Sequence, residues 1–397
     1  MKTLQQFFLS LLLIMVAPQA LEAQFLCNTN ADNTITITGY IGTVGALQIP
    51  GTLNGFPVTS IGNGAFWGRF ELTNVTMSEG ITNIGVGAFS YCGMTSITIP
   101  SSVIGMGLNA FGGCESLTNV VLPNSLTKIP EFAFGECFHL STIVIPTSVT
   151  SIEANAFDRS GLVSISIPGS VTNIGTGAFF ECSGLTNVVI SNGVVTIGDQ
   201  AFYSCPGLTA VTIPRSVTSI GINAFASCNA LTNVALGSGI TNIGDYAFAN
   251  TGLTTITFPS KVGYLGDHAF DYCDHLDGIF FCGNAPGIGG PDVFAWNPSD
   301  PLHYLPGTSG WTDMLGMRPT TLWLPLLQPV RGSLGLQTNQ FGFQVSWAAG
   351  QTVVVEASVN MKEWQPILTN ILATGSAYFS DPQWTNYPSR FYRLYSQ

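Results

Sequence analysis

The chain carries very little charge. Asp, Glu, Lys and Arg make up only 8% of its 397 residues, against about 25% in an average soluble domain. Basic residues are the scarcer sign: 11 Lys and Arg stand against 22 Asp and Glu, a net charge of -11. Nucleic-acid recognition asks for a basic face, so that class of partner is excluded. Four histidines leave little material for acid–base catalysis, and no Ser/His/Asp grouping stands out. The reading is therefore of a non-enzyme that needs no cofactor. Long hydrophobic runs are missing too, since no segment approaches the roughly 20 residues of a membrane-spanning helix. The one apolar run, Phe7 to Ala17, follows Lys2 and precedes Pro18 and Ala23. That pattern predicts a signal peptide over 1–23, although Leu21 sits where cleavage prefers a small residue. Gln24-Phe25-Leu26 before Cys27 lacks the small residue of a lipoprotein site. A secreted or surface-associated monomer without a transmembrane segment is expected.

What the sequence does contain is a repeat. Ala-Phe recurs with its Phe at 66, 89, 111, 134, 157, 179, 202, 225, 248 and 270, always 22 or 23 residues apart. So constant a period defines a solenoid. Residues 185–202 read LTNVVISNGVVTIGDQAF, and 208–225 read LTAVTIPRSVTSIGINAF. The β-branched Leu-x-x-Val-x-Ile portion predicts a short strand, closed in most units by a proline whose missing N–H stops the ladder. A second short strand follows, as at Val217-Thr218-Ser219-Ile220. A single helical turn is then expected to carry Ala, Phe and the residue three after Phe on one face. One unit cannot bury its own apolar stripe, so stability has to come from stacking neighbours.

Units such as LTNVALGSGITNIGDYAF (231–248) resemble the BspA-like, or Treponema-type, leucine-rich repeats of bacterial surface proteins. The resemblance covers about 47–282. It implies a curved parallel solenoid whose concave sheet binds an extracellular protein or matrix component.

The predicted fold is mainly β, a leucine-rich-repeat solenoid of about ten coils followed by a small β-sandwich. Residues 24–62 read as an N-terminal cap with a degenerate first coil, 63–282 as the repeats, 283–325 as a C-terminal cap and 326–397 as the sandwich. The acidity belongs to the first stretch: 24–325 holds 18 acidic and 6 basic residues, and 326–397 holds 3 and 4. In the last region Phe341 to Trp347, Gln351 to Ser358, Ile367 to Phe379 and Phe391 to Tyr395 are strand candidates, and attachment, spacing or export is the expected role.

Seven cysteines occupy the slot three after the repeat Phe: Cys92, Cys114, Cys137, Cys182, Cys205, Cys228 and Cys273. Other units place Arg69, Ser160 and Thr251 there. Stacked side chains point in parallel and free Cys packs as a small hydrophobe, so the column reads as a structural ladder in preference to disulfides or metal. His268, Asp271, Asp274 and His275, with Asp267 and Asp277 beside them, form the only His/Asp cluster; they read as a solvated surface of the end coil. Leu305-Pro306-Gly307-Thr308-Ser309 resembles a sorting motif but has the wrong last residue and no hydrophobic tail, so it reads as a turn. The glycine strings lack the Lys and Ser/Thr of a phosphate loop.

The remaining candidate is the face presented by the first strands. Asn74, Thr76, Ser96, Thr98, Asn119, Thr142, Ser164, Ser166, Asn187, Thr212, Asn233, Thr255 and Thr257 are expected to point outward. These short side chains lose little entropy on contact, which suits them to bind a protein or polysaccharide. Two alternatives stand beside this one: ice or crystal-surface binding through the Thr columns, and a spacer that presents the C-terminal module.

Overall fold

The computed structural model describes residues 24–43, 45–298, 300–328, 335–337, 340–387 and 389–396. The expected signal peptide lies outside them. Among the described residues no helix is long and apolar enough to cross a membrane. The chain divides into two compact units, one running to Asp277 and including Pro286–Ser299, the other made of Gly278–Ala285 and Asp300–Gln397.

The first unit is a β-solenoid. Most coils contribute two short parallel strands, and the second of them builds the longer ladder. From Lys128–Ile129 through Ser151–Ile152, Asn173–Ile174, Thr196–Ile197, Ser219–Ile220, Asn242–Ile243, Tyr264–Leu265 and Gly287–Ile288 the pairing is unbroken. At the N-terminal end, Phe25–Thr29 pairs antiparallel with Ile35–Tyr40, which in turn pairs in parallel with Phe56–Ile61. This hairpin covers an edge that would otherwise offer free N–H and C=O groups to other chains.

The core is a file of phenylalanine rings. Phe66, Phe89, Phe111, Phe134, Phe157, Phe179, Phe202, Phe225, Phe248 and Phe270 are fully buried. Successive centroids are 5.0 to 5.7 Å apart with nearly parallel planes. That spacing follows the coil rise of about 4.8 Å. The stack runs one coil beyond the Ala-Phe spacing: Phe294, preceded by Val293, lies 5.6 Å from Phe270.

The segment around Ala-Phe is not the helical turn that the spacing predicts. Alternate N–H groups point in opposite directions. In the coil of Phe157, Ala156, Asp158 and Ser160 donate three residues back to Glu153, Asn155 and Phe157. Asn155, Phe157 and Arg159 instead donate to Thr176, Ala178 and Phe180 of the next coil, at 2.9, 2.8 and 2.7 Å. An α-helix would spend every donor inside its own coil. The alternation requires a left-handed residue two before and two after the Phe, as at Asn155 (φ 53°) and Arg159 (φ 51°). That conformation costs roughly 1–2 kcal/mol for an ordinary residue, which the satisfied donors offset.

In the second unit Gly278–Phe281 pairs in parallel with Leu302–Tyr304, which pairs in parallel with Arg318–Leu322. Two antiparallel sheets follow. One contains Gln340–Ser346 and Ser376–Asp381, the other Gln365–Ile371, Thr352–Ser358 and Phe391–Ser396. Leu305, Phe343, Val345, Trp347, Val353, Val355, Leu372 and Phe379 form their core. The stretch Ile367 to Phe379, read as one strand, is two, broken at Gly375 (φ 81°).

Candidate functional site

The alternation of the first strands buries one set of side chains and presents the other. Val75, Ile97, Val120, Ile165, Val188, Val211, Val234 and Ile256 turn inward and are buried. Between them, twelve of the thirteen candidate residues are exposed and Ser164 is half-buried. The pairing holds register: Ser96–Thr98 lies beside Asn119–Val121, Ser164–Ile167 beside Asn187–Ile190, and Ala210–Thr212 beside Asn233–Ala235. Thr142 departs from the expectation, because Ser141–Pro146 forms no strand. Its outward orientation survives because Ile143 and Ile145 are still buried, and burial alone sets the alternation.

Neighbouring hydroxyl columns behave differently. Thr73, Thr118, Thr186 and Thr232 donate through Oγ1 to backbone carbonyls of the preceding coil, at 3.0, 2.9, 3.1 and 3.4 Å. These threonines hold coils together. The thirteen outward side chains have no such partner among the described residues, so their donors and acceptors face solvent. No Asp, Glu, Lys or Arg interrupts either column, but Val121, Val144 and Val189 do, at 47%, 80% and 49% exposure.

All seven cysteines of the repeat slot are buried and unbridged. Each Sγ lies against the carbonyl of the Phe one coil back, as in Cys92 to Phe66 (3.1 Å), Cys137 to Phe111 (3.3 Å) and Cys182 to Phe157 (3.1 Å). A thiolate could not donate there. Burial pushes the Cys137 and Cys182 thiols up to about 12, and it raises Cys92, Cys114 and Cys273 as well. These groups are protonated donors, poorly suited to nucleophilic chemistry.

A pH dependence follows from this. In the unfolded chain a thiol ionises near 8.5, while in the fold these hold their protons to about 12. Their contribution is therefore complete below pH 8.5 and is lost as pH rises toward 12. The slope is about 1.4 kcal/mol per pH unit for each such thiol. Melting temperature measured from neutral to strongly alkaline pH is expected to fall steeply above 9, and less steeply in a Cys137→Ser/Cys182→Ser variant. Equal slopes would contradict the thiol assignment.

Another feature was missed by reading only the strands. Trp67, Phe70 and Tyr91 are exposed at 65%, 80% and 46% on the turn edge of the first coils. Together with Glu115 and Ser116 they line an open hollow of about 600 Å³. Trp67 meets Tyr91 edge to face at 6.4 Å. A Cβ on Gly113 would lie 2.4 Å from the Tyr91 ring, so the glycine is what lets that ring lie where it does. Tabulating the slots one, two and four after the repeat Phe would have shown these aromatics.

The His/Asp cluster is rearranged. His268 meets Asp267 and Asp271, and Asp292 joins from the next coil. Asp274, His275 and Asp277 remain exposed outside the group.

A family model described as BspA type Leucine rich repeat region (6 copies) matches residues 54–163 and 150–277, more than half of the chain. No curated protein matches. Similar solved structures include a leucine-rich repeat protein from Bacteroides ovatus, 25% identical over 68% of this chain and 90% of that one, with a TM-score of 0.44. A leucine rich cell surface protein from Faecalibacterium prausnitzii is 29% identical over 65% and 86%, with a TM-score of 0.41. The pneumococcal vaccine antigen PcpA is 17% identical over 71% and 92%, with a TM-score of 0.46.

Proposed function

The chain belongs to the BspA-type leucine-rich repeat family, and from that premise we propose a non-catalytic binding protein that acts outside the cell. Its ligand is an extracellular protein or polysaccharide, met by the outward face of the first strands. One observation carries the reading. Thirteen hydroxyl and amide side chains face outward, all but Thr142 on short parallel strands, with their hydrogen-bonding capacity unspent, while adjacent threonines spend theirs on the preceding coil. A ligand that offers repeated hydroxyls or amides matches such a surface, and the three exposed valines supply apolar contact.

A second reading, that the aromatic corner at Trp67, Phe70 and Tyr91 is the principal seat, is favoured by the aromatic side chains that dominate binding hot spots. Both readings are approached by one experiment, in which the full chain is tested against immobilised collagen, fibronectin, laminin, mucin and a set of neutral and acidic polysaccharides. Saturable binding is expected to at least one of them. It is expected to change little between low and high salt, because the strand face is uncharged and screening has nothing to act on. Binding that disappears at high salt would point to the acidic edges and away from the uncharged strand face.

A further inference from the structure

We infer that Asp267, His268 and Asp292 form a divalent transition-metal site, of the kind zinc occupies, which ties the coil of Phe270 to the coil of Phe294. One donor atom from each of the three lies within 4.8 Å of the others, and His268 Nε2 is 3.7 Å from Asp267 Oδ2. Imidazole with carboxylate is a donor set that suits zinc and its neighbours, whereas calcium and magnesium prefer oxygen alone.

The ordinary role of this aspartate slot is visible elsewhere. Asp199 and Asp245 each accept the N–H of Ile222 and Asp267 in the next coil, at 2.8 and 2.9 Å. Asp267 does the same through Oδ1 for Asp292 N–H at 3.3 Å, which leaves Oδ2 turned toward His268. What distinguishes this coil is the surroundings of that second oxygen.

Asp271 supplies the independent observation. Its side chain is 6% exposed and places Oδ2 at 2.9 Å from His268 Nδ1, while its Oδ1 is buried without a hydrogen-bond partner. A carboxylate on Nδ1 fixes the tautomer whose Nε2 lone pair faces outward, the arrangement that orients metal-bound histidines. The ring is further held flat against Tyr246 at 4.7 Å. Three carboxylates thus surround one imidazole. In residues 216–299 the sequence offers six Asp (245, 267, 271, 274, 277 and 292) and a single cation, Lys261. A dication on Nε2 supplies the missing positive charge.

Titration of the full, metal-free chain with zinc chloride by calorimetry tests this. One saturable site is expected, with a raised melting temperature and no comparable response to calcium. His268→Ala and Asp292→Asn are expected to abolish the binding. Asp271 is a positioning residue. Asp271→Asn is expected to weaken affinity by about 10–100-fold and to alter the visible absorption of bound cobalt, with the metal-free melting temperature measured alongside to separate loss of fold. Absence of a saturable site, or zinc affinity unchanged in both His268→Ala and Asp292→Asn, would overturn the assignment.

Discussion

Phe157→Ala is expected to cost about 3–5 kcal/mol, a large part of the roughly 5–15 kcal/mol that holds a typical domain together. Phe157 is fully buried and stacks on Phe134 at 5.7 Å and on Phe179 at 5.3 Å. Its removal weakens two coil interfaces at once. In a solenoid each coil contacts only its neighbours, so stability is close to a sum of nearest-neighbour terms. Weakening the middle is therefore expected to do more than lower the midpoint. Urea denaturation followed by circular dichroism should change from one transition to two, as the coils on either side separate. A loss under about 1 kcal/mol would mean that the ring file is not the main source of cohesion.

Gly193→Ala is the second large effect. Gly193 sits at φ 127°, and a Cβ there would lie 2.0 Å from the carbonyl oxygen of Gly169 one coil back. Backbone in that region is almost confined to glycine, and the clash is with main chain that cannot swing away. Strain and overpacking together are expected to cost roughly 3 kcal/mol or more. Gly55 separates the two causes, because it has φ 80° with nothing within 4 Å of the added Cβ. Gly55→Ala is expected to cost only about 1 kcal/mol from backbone strain. Equal costs at the two sites, by denaturant midpoint, would show that close coil approach is unimportant.

The register of the coils was legible in the sequence because burial is periodic. A 22–23-residue period places every Phe of the Ala-Phe slot, every slot cysteine and every inward strand residue at one height, and stacking leaves no other arrangement that buries them all. The turn geometry was hidden for the opposite reason. Phe132, Glu136 and Arg159 adopt left-handed φ although nothing in their intrinsic preferences points to it; their donors are satisfied only by the next coil. Phe294 escaped because Val293 replaces the marker alanine. Asp292 could not be placed beside His268 by local spacing, since the contact depends on the following coil. The outward columns followed directly from strand alternation, and Thr142 kept its orientation even where the strand was lost. The aromatic corner lay in slots that vary between coils, so periodicity concealed it.

The ligand surface is tested most directly by affinity for whichever immobilised matrix component the full chain captures, compared across two variants. Thr142→Arg/Ser166→Arg places two long charged side chains on the strand face, at exposed positions that no other protein group engages. Trp67→Ala/Tyr91→Ala removes the aromatic corner and leaves that face intact. The account predicts at least a tenfold loss of affinity, about 1.4 kcal/mol, in the first variant at unchanged melting temperature, and near wild-type affinity in the second. Full affinity in the arginine variant, with loss in the aromatic one, would contradict it and move recognition to the turn edge.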